Sequence, residues 1–137
     1  MPTRHDPSTT TILVVDDEPD VLASVTDALQ LFGYAVVGST DPREALRIAQ
    51  THPSPIRLLL TDVVMPFISG PELAEHVRRQ IPDIRILFMS AFTTAAVADS
   101  GVILTPGIPL LVKPFSMNKL TEKVQAMLDY RSPFSRP

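Results

Sequence analysis

Carboxylates follow apolar runs at two points of the chain. In LLLTDVVMP, the leucines at 58–60 lead almost directly into Asp62. In TILVVDDEPD, the run at 12–15 stops at the adjacent acids Asp16 and Asp17. Apolar runs without polar alternation are typical of strands buried on both faces, and an unpaired buried carboxylate is costly. Each acid is therefore expected at a solvent-facing strand end, or held by cations and hydrogen bonds.

Two further predicted strands end in side chains that bind anions. The run IRILFMS ends at Ser90, and the strand in IPLLVKPF ends at Lys113. In a parallel sheet these ends share one edge, where adjacent strands are only about 4.8 Å apart. Three carboxylates together favour a hard cation such as Mg²⁺, while a lysine and a hydroxyl favour an anion. These are the parts that phosphoryl transfer needs, and Asp62 itself can be the nucleophile.

Helical patterns separate the predicted strands. Apolar residues recur at helical spacing after Pro19, Pro42, Pro71 and Ser116. Strands that alternate with helices imply right-handed crossovers, and hence an α/β fold with a doubly wound parallel sheet. With 137 residues, the chain has room for a single domain.

Composition excludes several classes of protein. The chain has no cysteine, so disulfides, thiolate metal sites and cysteine nucleophiles are absent. A net charge of −3 gives no broad basic footprint, and we expect no direct nucleic acid binding. We also expect no membrane insertion, because no apolar run approaches the roughly 20 residues of a span. The first residues lack the apolar core of a signal peptide, which predicts a cytoplasmic protein.

Simpler interpretations of the acids remain open at this point. Asp16 and Asp17 could cap the helix that follows, since acids near a helix N-terminus satisfy free amides. Asp62 could open a turn towards Pro66. A single acid is enough to cap a helix, however, and two adjacent carboxylates would repel each other unless a cation bound between them.

Four stretches, VVDDEP, LLLTDVVMPFISG, FMSA and LVKPF, resemble the receiver domain of two-component response regulators. Their residues are most similar to those of receiver domains in hybrid histidine kinases. The resemblance implies a five-stranded, flavodoxin-like sheet of order 2-1-3-4-5 in a single domain. It also implies a receiver domain over residues 11–129, between a flexible leader (1–10) and a flexible tail (130–137).

The resemblance also implies a role for each site residue in accepting phosphate from a phosphohistidine. The donor would be a histidine kinase or a histidine phosphotransfer protein, and the target an unidentified protein. Such a domain catalyses its own modification and is a switch rather than a metabolic enzyme. The implied roles are phosphoacceptor for Asp62, direct Mg²⁺ ligand for Asp17, water-mediated ligand for Asp16, backbone carbonyl ligand for Val64, and phosphoryl binding for Ser90 and Lys113.

Several details are specific to this sequence. Val64 and Phe92 are apolar at positions flanking the site, which predicts a long-lived phosphorylated form. Leu110 replaces an aromatic residue and is interpreted as a core leucine. A short, mobile helix is expected over 94–100, because it has small residues and Gly101 follows it. The resemblance further implies a cis peptide bond between Lys113 and Pro114.

Three other functions remain as alternatives. An aspartate-nucleophile phosphatase would also use Mg²⁺, a lysine and a hydroxyl, but its nucleophile usually follows the first strand in a DxD pattern. A flavin-binding module needs a phosphate loop where this chain has DDEPD, which would repel phosphate. A degenerate receiver could serve only for protein contact, although every phosphorylation residue is present.

Overall fold

A computed structural model describes residues 10–52, 55–92, 97 and 107–129. Most of the expected short helix at 94–100 lies outside the described residues, as do the tail and nearly all of the leader. Thr10, which we assigned to the leader, is buried, and its carbonyl accepts a hydrogen bond from the Ala35 amide.

Five strands and four helices make up the described part of the chain. In order they are β1 (Thr11–Val15), α1 (Pro19–Phe32), β2 (Ala35–Ser39), α2 (Pro42–Thr51), β3 (Ile56–Asp62), α3 (Gly70–Gln80), β4 (Arg85–Ser90), β5 (Leu110–Val112) and α4 (Met117–Asp129).

The strands form one parallel sheet of order β2-β1-β3-β4-β5, which confirms the predicted topology. The register brings the strand ends to the same level. Val15 at the end of β1 lies beside Thr61, and Asp62 lies beside Met89. The predicted site residues therefore emerge together at the carboxyl edge of the sheet.

Apolar cores cover both faces of the sheet. Alternate residues of β1 and β3 contact α1 and α4 on one face, and the intervening residues contact α2 and α3 on the other. This arrangement explains why the strands read as continuous apolar runs. Leu110 is half-buried against the second core, as expected for a core leucine. No helix of the described residues is long and apolar enough to cross a membrane.

The start of α3 is fixed against the end of β3. Ser69 accepts a hydrogen bond from the Glu72 amide, and the Glu72 side chain accepts one from the Ser69 amide, which forms a capping box. A Cβ atom added to Gly70 would lie 2.3 Å from the Asp62 carbonyl oxygen. Only glycine therefore permits this approach of helix to strand.

Strand boundaries differ from the apolar runs of the sequence by single residues. The fifth strand ends at Val112 and not at Lys113, and β2 begins at Ala35 although its run, YAVVG, begins at Tyr34. Tyr34 is buried, its ring stacks on Phe32 with centroids 5.4 Å apart, and its hydroxyl donates to Gln125 at 3.5 Å. The Tyr34 amide donates to the Leu29 carbonyl at 3.1 Å, which closes α1, so Tyr34 precedes the ladder instead of joining it.

Candidate functional site

Three carboxylates converge at the ends of β1 and β3. One oxygen each of Asp16, Asp17 and Asp62 lies within 4.8 Å of the other two. Asp16 is fully buried, and Asp62 is 7% exposed. Neither Asp16 nor Asp17 caps α1, because its N-cap is Glu18, which makes no side-chain capping bond. Instead, Asp16 Oδ1 accepts from the Glu18 amide at 2.9 Å, which turns the chain out of β1.

Lys113 reaches this cluster from the end of β5. Its Nζ lies 2.7 Å from Asp16 Oδ2, 3.6 Å from Asp62 Oδ2 and 3.8 Å from Glu18 Oε1. The backbone amide of Lys113 donates to the Ser90 carbonyl at 2.7 Å, which ties the lysine to the end of β4. The peptide bond to Pro114 is cis, which confirms the expectation from the family resemblance.

Burial and neighbouring charges shift the pKa values of Asp62 and Lys113. Burial, together with the negative charge of Asp16, raises the pKa of Asp62 to about 7. The Lys113 ammonium and the Val63 amide, which donates to Asp62 Oδ1 at 2.9 Å, oppose this shift only in part. Burial lowers the pKa of Lys113, but the contacts with Asp16, Asp62 and Glu18 outweigh it and leave that pKa raised. Lys113 is therefore a cation at neutral pH.

Ser90 lies at the end of the neighbouring strand β4. It is 1% exposed, and its Oγ accepts from the Phe92 amide at 3.0 Å. We call Asp16, Asp62, Ser90 and Lys113 the floor of the site, since all four side chains are largely buried.

Apolar side chains lie two residues beyond two of the strand ends. Val64 follows Asp62 and is 39% exposed, and Phe92 follows Ser90 and is 52% exposed. We call Val64 and Phe92 the rim of the site. The rim presents hydrocarbon to solvent, whereas the floor buries charge.

The donor set of the pocket fits a hard divalent cation. All three converging ligands are carboxylate oxygens, which Mg²⁺ and Ca²⁺ prefer. A bound cation would also offset the burial and the negative charge of Asp16 that keep the pKa of Asp62 high. The acidic cluster is thus able to hold a metal.

Sequence reasoning missed two parts of the site. The Glu18 carboxylate contributes to the environment of Lys113, and its place directly behind two acids was the available signal. Arg43 packs over the ring of Phe67, in the loop that follows Asp62, at 3.7 Å from the centroid. Nothing in the spacing of these two residues indicates that contact.

The doubly wound sheet, with an acidic pocket and a lysine at its carboxyl edge, defines a CheY-like receiver with the arrangement used in phosphoaspartate signalling. The family model for the response regulator receiver domain matches residues 12–125, and the chain belongs to this family.

Solved structures of receivers share the fold. The chain is similar to the chemotaxis protein CheY4 of Vibrio cholerae, with a TM-score of 0.75, 31% identity, and coverage of 88% of this chain and 99% of that chain. It is also similar to TrrA of Thermotoga maritima in complex with Mg²⁺ and BeF, with a TM-score of 0.69 and 30% identity, covering 87% of this chain and 99% of that chain.

Curated relatives extend the likeness to larger proteins. The sensor kinase CckA of Brucella abortus is 34% identical over 119 residues, which are 87% of this chain and 12% of CckA. The chain spans about half the length of the transcriptional regulatory proteins that it also matches.

Proposed function

We propose that Asp62 accepts a phosphoryl group from a phosphohistidine and that the domain is a switch in two-component or phosphorelay signalling. The observation that carries this proposal is the position of Asp62 between a cation and two acids. Its Oδ2 lies 3.6 Å from Lys113 Nζ, and its carboxylate converges with Asp16 and Asp17. Family membership supports the same function.

In the proposed reaction, a carboxylate oxygen of Asp62 attacks phosphorus. The new O–P bond forms as the P–N bond to the donor imidazole breaks, and the imidazole leaves with that electron pair. Lys113 Nζ binds a phosphoryl oxygen and offsets its charge. The Ser90 hydroxyl, at the end of the adjacent strand, donates a hydrogen bond to another phosphoryl oxygen.

The acidic residues hold the cation that the reaction needs. We assign Mg²⁺ to Asp17 and Asp62 directly, to Asp16 through water, and to the backbone carbonyl of Val64. When bound, Mg²⁺ supplies positive charge at the acceptor and the phosphoryl oxygens. Asp62 must be ionised to attack, and Lys113 favours that form by lowering the pKa that burial raises.

The phosphodonor that fits this site is a histidine kinase or a histidine phosphotransfer protein. The proposal includes a cytoplasmic location, where such a phosphodonor would meet the domain. Its target is a protein, and the receiver unit spans residues 11–129. The proposed acceptor is the last residue of β3 and does not follow β1, which favours a receiver over the aspartate-nucleophile phosphatase considered from the sequence.

The proposal is tested by incubating the protein with Mg²⁺ and a small acyl phosphate or phosphoramidate, followed by intact mass measurement. We expect one phosphoryl group on the wild-type protein and none in EDTA or on Asp62→Asn. Asp83→Asn, which changes an exposed acid outside the site, is the matched control and should incorporate phosphate normally. Incorporation into Asp62→Asn equal to that of the wild type would overturn the assignment. Mg²⁺ binding without any incorporation would instead support a degenerate receiver.

A further inference from the structure

The loop that follows the phosphoacceptor contains a residue in an unusual backbone conformation. Phe67 has φ 73°, and the Ile68 amide donates to the Pro66 carbonyl at 2.8 Å, which closes a three-residue turn around it. A positive φ is uncommon for a bulky residue, and this kind of tight turn is strained. Contacts outside the turn must therefore help to stabilise Phe67 in it.

The helix α2 supplies such a contact. The guanidinium carbon of Arg43 lies 3.7 Å from the centroid of the Phe67 ring. Arg43 is itself held by Asp41, with Nε 3.1 Å from Oδ1 and Nη2 2.9 Å from Oδ2. These hydrogen bonds lower the pKa of Asp41, so the carboxylate stays charged and keeps the guanidinium in place. Asp41, Arg43 and Phe67 thus connect the start of α2 to the loop after β3.

The rest of the loop is anchored on the protein side. Met65 is buried, Ile68 packs against the second core, and the Gly70 amide donates to the Val63 carbonyl at 2.7 Å. Phe67 is 72% exposed and belongs to neither apolar core of the described residues. The hydrogen bond between Val63 and Gly70 closes the segment that contains both Val64 and Phe67, so the path of this segment depends on whether the tight turn at Phe67 forms.

We propose that Asp41, Arg43 and Phe67 form a clamp that positions the loop carrying the Val64 carbonyl for metal binding. This inference rests on the proposed function, since Val64 is assigned there as a backbone ligand. Arg43 and Phe67 are positioning residues, because they act on the site through the loop. Release of the ring lets Phe67 return to a negative φ, which breaks the hydrogen bond from Ile68 to Pro66 and changes the path of the closed segment in which the Val64 carbonyl lies.

Arg43→Gln is the direct test, because it removes the cation and leaves the Asp41 cap of α2 intact. The control is Arg47→Gln, which removes an equal charge from the same helix, where Arg47 pairs with Glu44 at 3.2 Å. We expect Arg43→Gln to weaken Mg²⁺ binding, measured by calorimetry, about two- to fivefold. Arg47→Gln should leave it unchanged. Equal Mg²⁺ affinity in both variants and the wild type would overturn the clamp.

A rescue variant separates strain from general damage. Glycine adopts a positive φ freely, so Phe67→Gly in the Arg43→Gln background removes the strain that the clamp opposes. We expect the double variant to regain Mg²⁺ affinity to within about twofold of the wild type. A double variant as weak as Arg43→Gln alone would contradict the proposal.

Amide hydrogen exchange in metal-free protein distinguishes failure of the clamp from failure of the proposed function. We expect exchange at Val64, Phe67 and Ile68 to be faster in Arg43→Gln than in Arg47→Gln. Unchanged exchange would refute the clamp, whether or not the wild type binds Mg²⁺. If the wild type shows neither Mg²⁺ binding nor phosphoryl uptake, the proposed function fails, and faster exchange still shows that Arg43 holds the loop.

Discussion

The floor and the rim of the site reverse the usual distribution of polar and apolar groups. The floor buries an ion pair, with Asp16 fully buried and Lys113 12% exposed, while the rim exposes Val64 and Phe92. Elsewhere the sheet follows the ordinary rule, with apolar side chains on both of its covered faces. Both regions thus depart from what stability alone would select, and they do so within two residues of the strand ends. The floor therefore gathers the charges that the proposed phosphoryl transfer would use, and the rim offers no side-chain polar group that could hold a water molecule.

The floor should show its largest effect in Lys113→Ala. This change removes charge compensation from the phosphoryl oxygens but no metal ligand, so phosphoryl transfer to Asp62 should slow by about 10²–10³-fold. Mg²⁺ binding should persist. The measurement is the initial rate of incorporation from a small phosphodonor, with Mg²⁺ affinity determined in parallel. A transfer rate within twofold of the wild type would show that the buried ammonium is structural.

The second effect concerns the free energy of unfolding, which the buried carboxylate of Asp62 lowers. The folded protein raises the pKa of Asp62 to about 7, so between about pH 4 and 7 the folded chain binds more protons than the unfolded chain. The free energy of unfolding therefore falls as pH rises through that window. Asp62→Asn removes the ionisation and should be more stable than the wild type by about 1–3 kcal/mol at pH 8 in EDTA.

Denaturant unfolding at pH 5 and pH 8 measures this difference. The gain from Asp62→Asn should shrink at pH 5, where the folded carboxyl is protonated, and it should shrink when Mg²⁺ is added. A wild-type protein as stable as the variant at pH 8 in EDTA would show that Lys113 fully offsets the burial of Asp62.

The rim should show the smallest effect, and only in the lifetime of the phosphorylated form. Val64 and Phe92 cannot orient an attacking water, so the acyl phosphate should be long-lived. Val64→Asn and Phe92→Glu should each speed its decay about three- to tenfold, because polar groups can position water. The measurement is the loss of phosphate over time after removal of the donor. If the acyl phosphate decays no faster in either variant, the apolar rim does not slow its hydrolysis.

The sequence predicted the floor because its residues lie where apolar runs end. Asp16, Asp62, Ser90 and Lys113 each close or follow a strand, and parallel strands bring such ends to one edge. The sheet order was predicted correctly from the family resemblance. The polar residues at the strand ends can be recognised from their immediate neighbours in the sequence. The sheet can be recognised because strands and helices alternate along the chain.

Details that depend on contacts between distant side chains could not be predicted. The ammonium of Lys113 lies nearer to Asp16 than to Asp62, at 2.7 Å against 3.6 Å, and this choice follows from packing and not from motif order. The positive φ of Phe67 has no sequence signal, because glycine or asparagine would ordinarily mark such a turn. The bond from the Tyr34 amide to the Leu29 carbonyl at the end of α1 likewise keeps Tyr34 out of β2, against its strand propensity.

Gly70 limits the substitutions that the site can accept. A Cβ atom there would collide with the Asp62 carbonyl oxygen, so every substitution at this position displaces the backbone of Asp62 or of α3. The side chain of Phe67 in the preceding loop, by contrast, projects into solvent. A library of variants over this segment would therefore have to keep Gly70, the first residue of α3, unchanged.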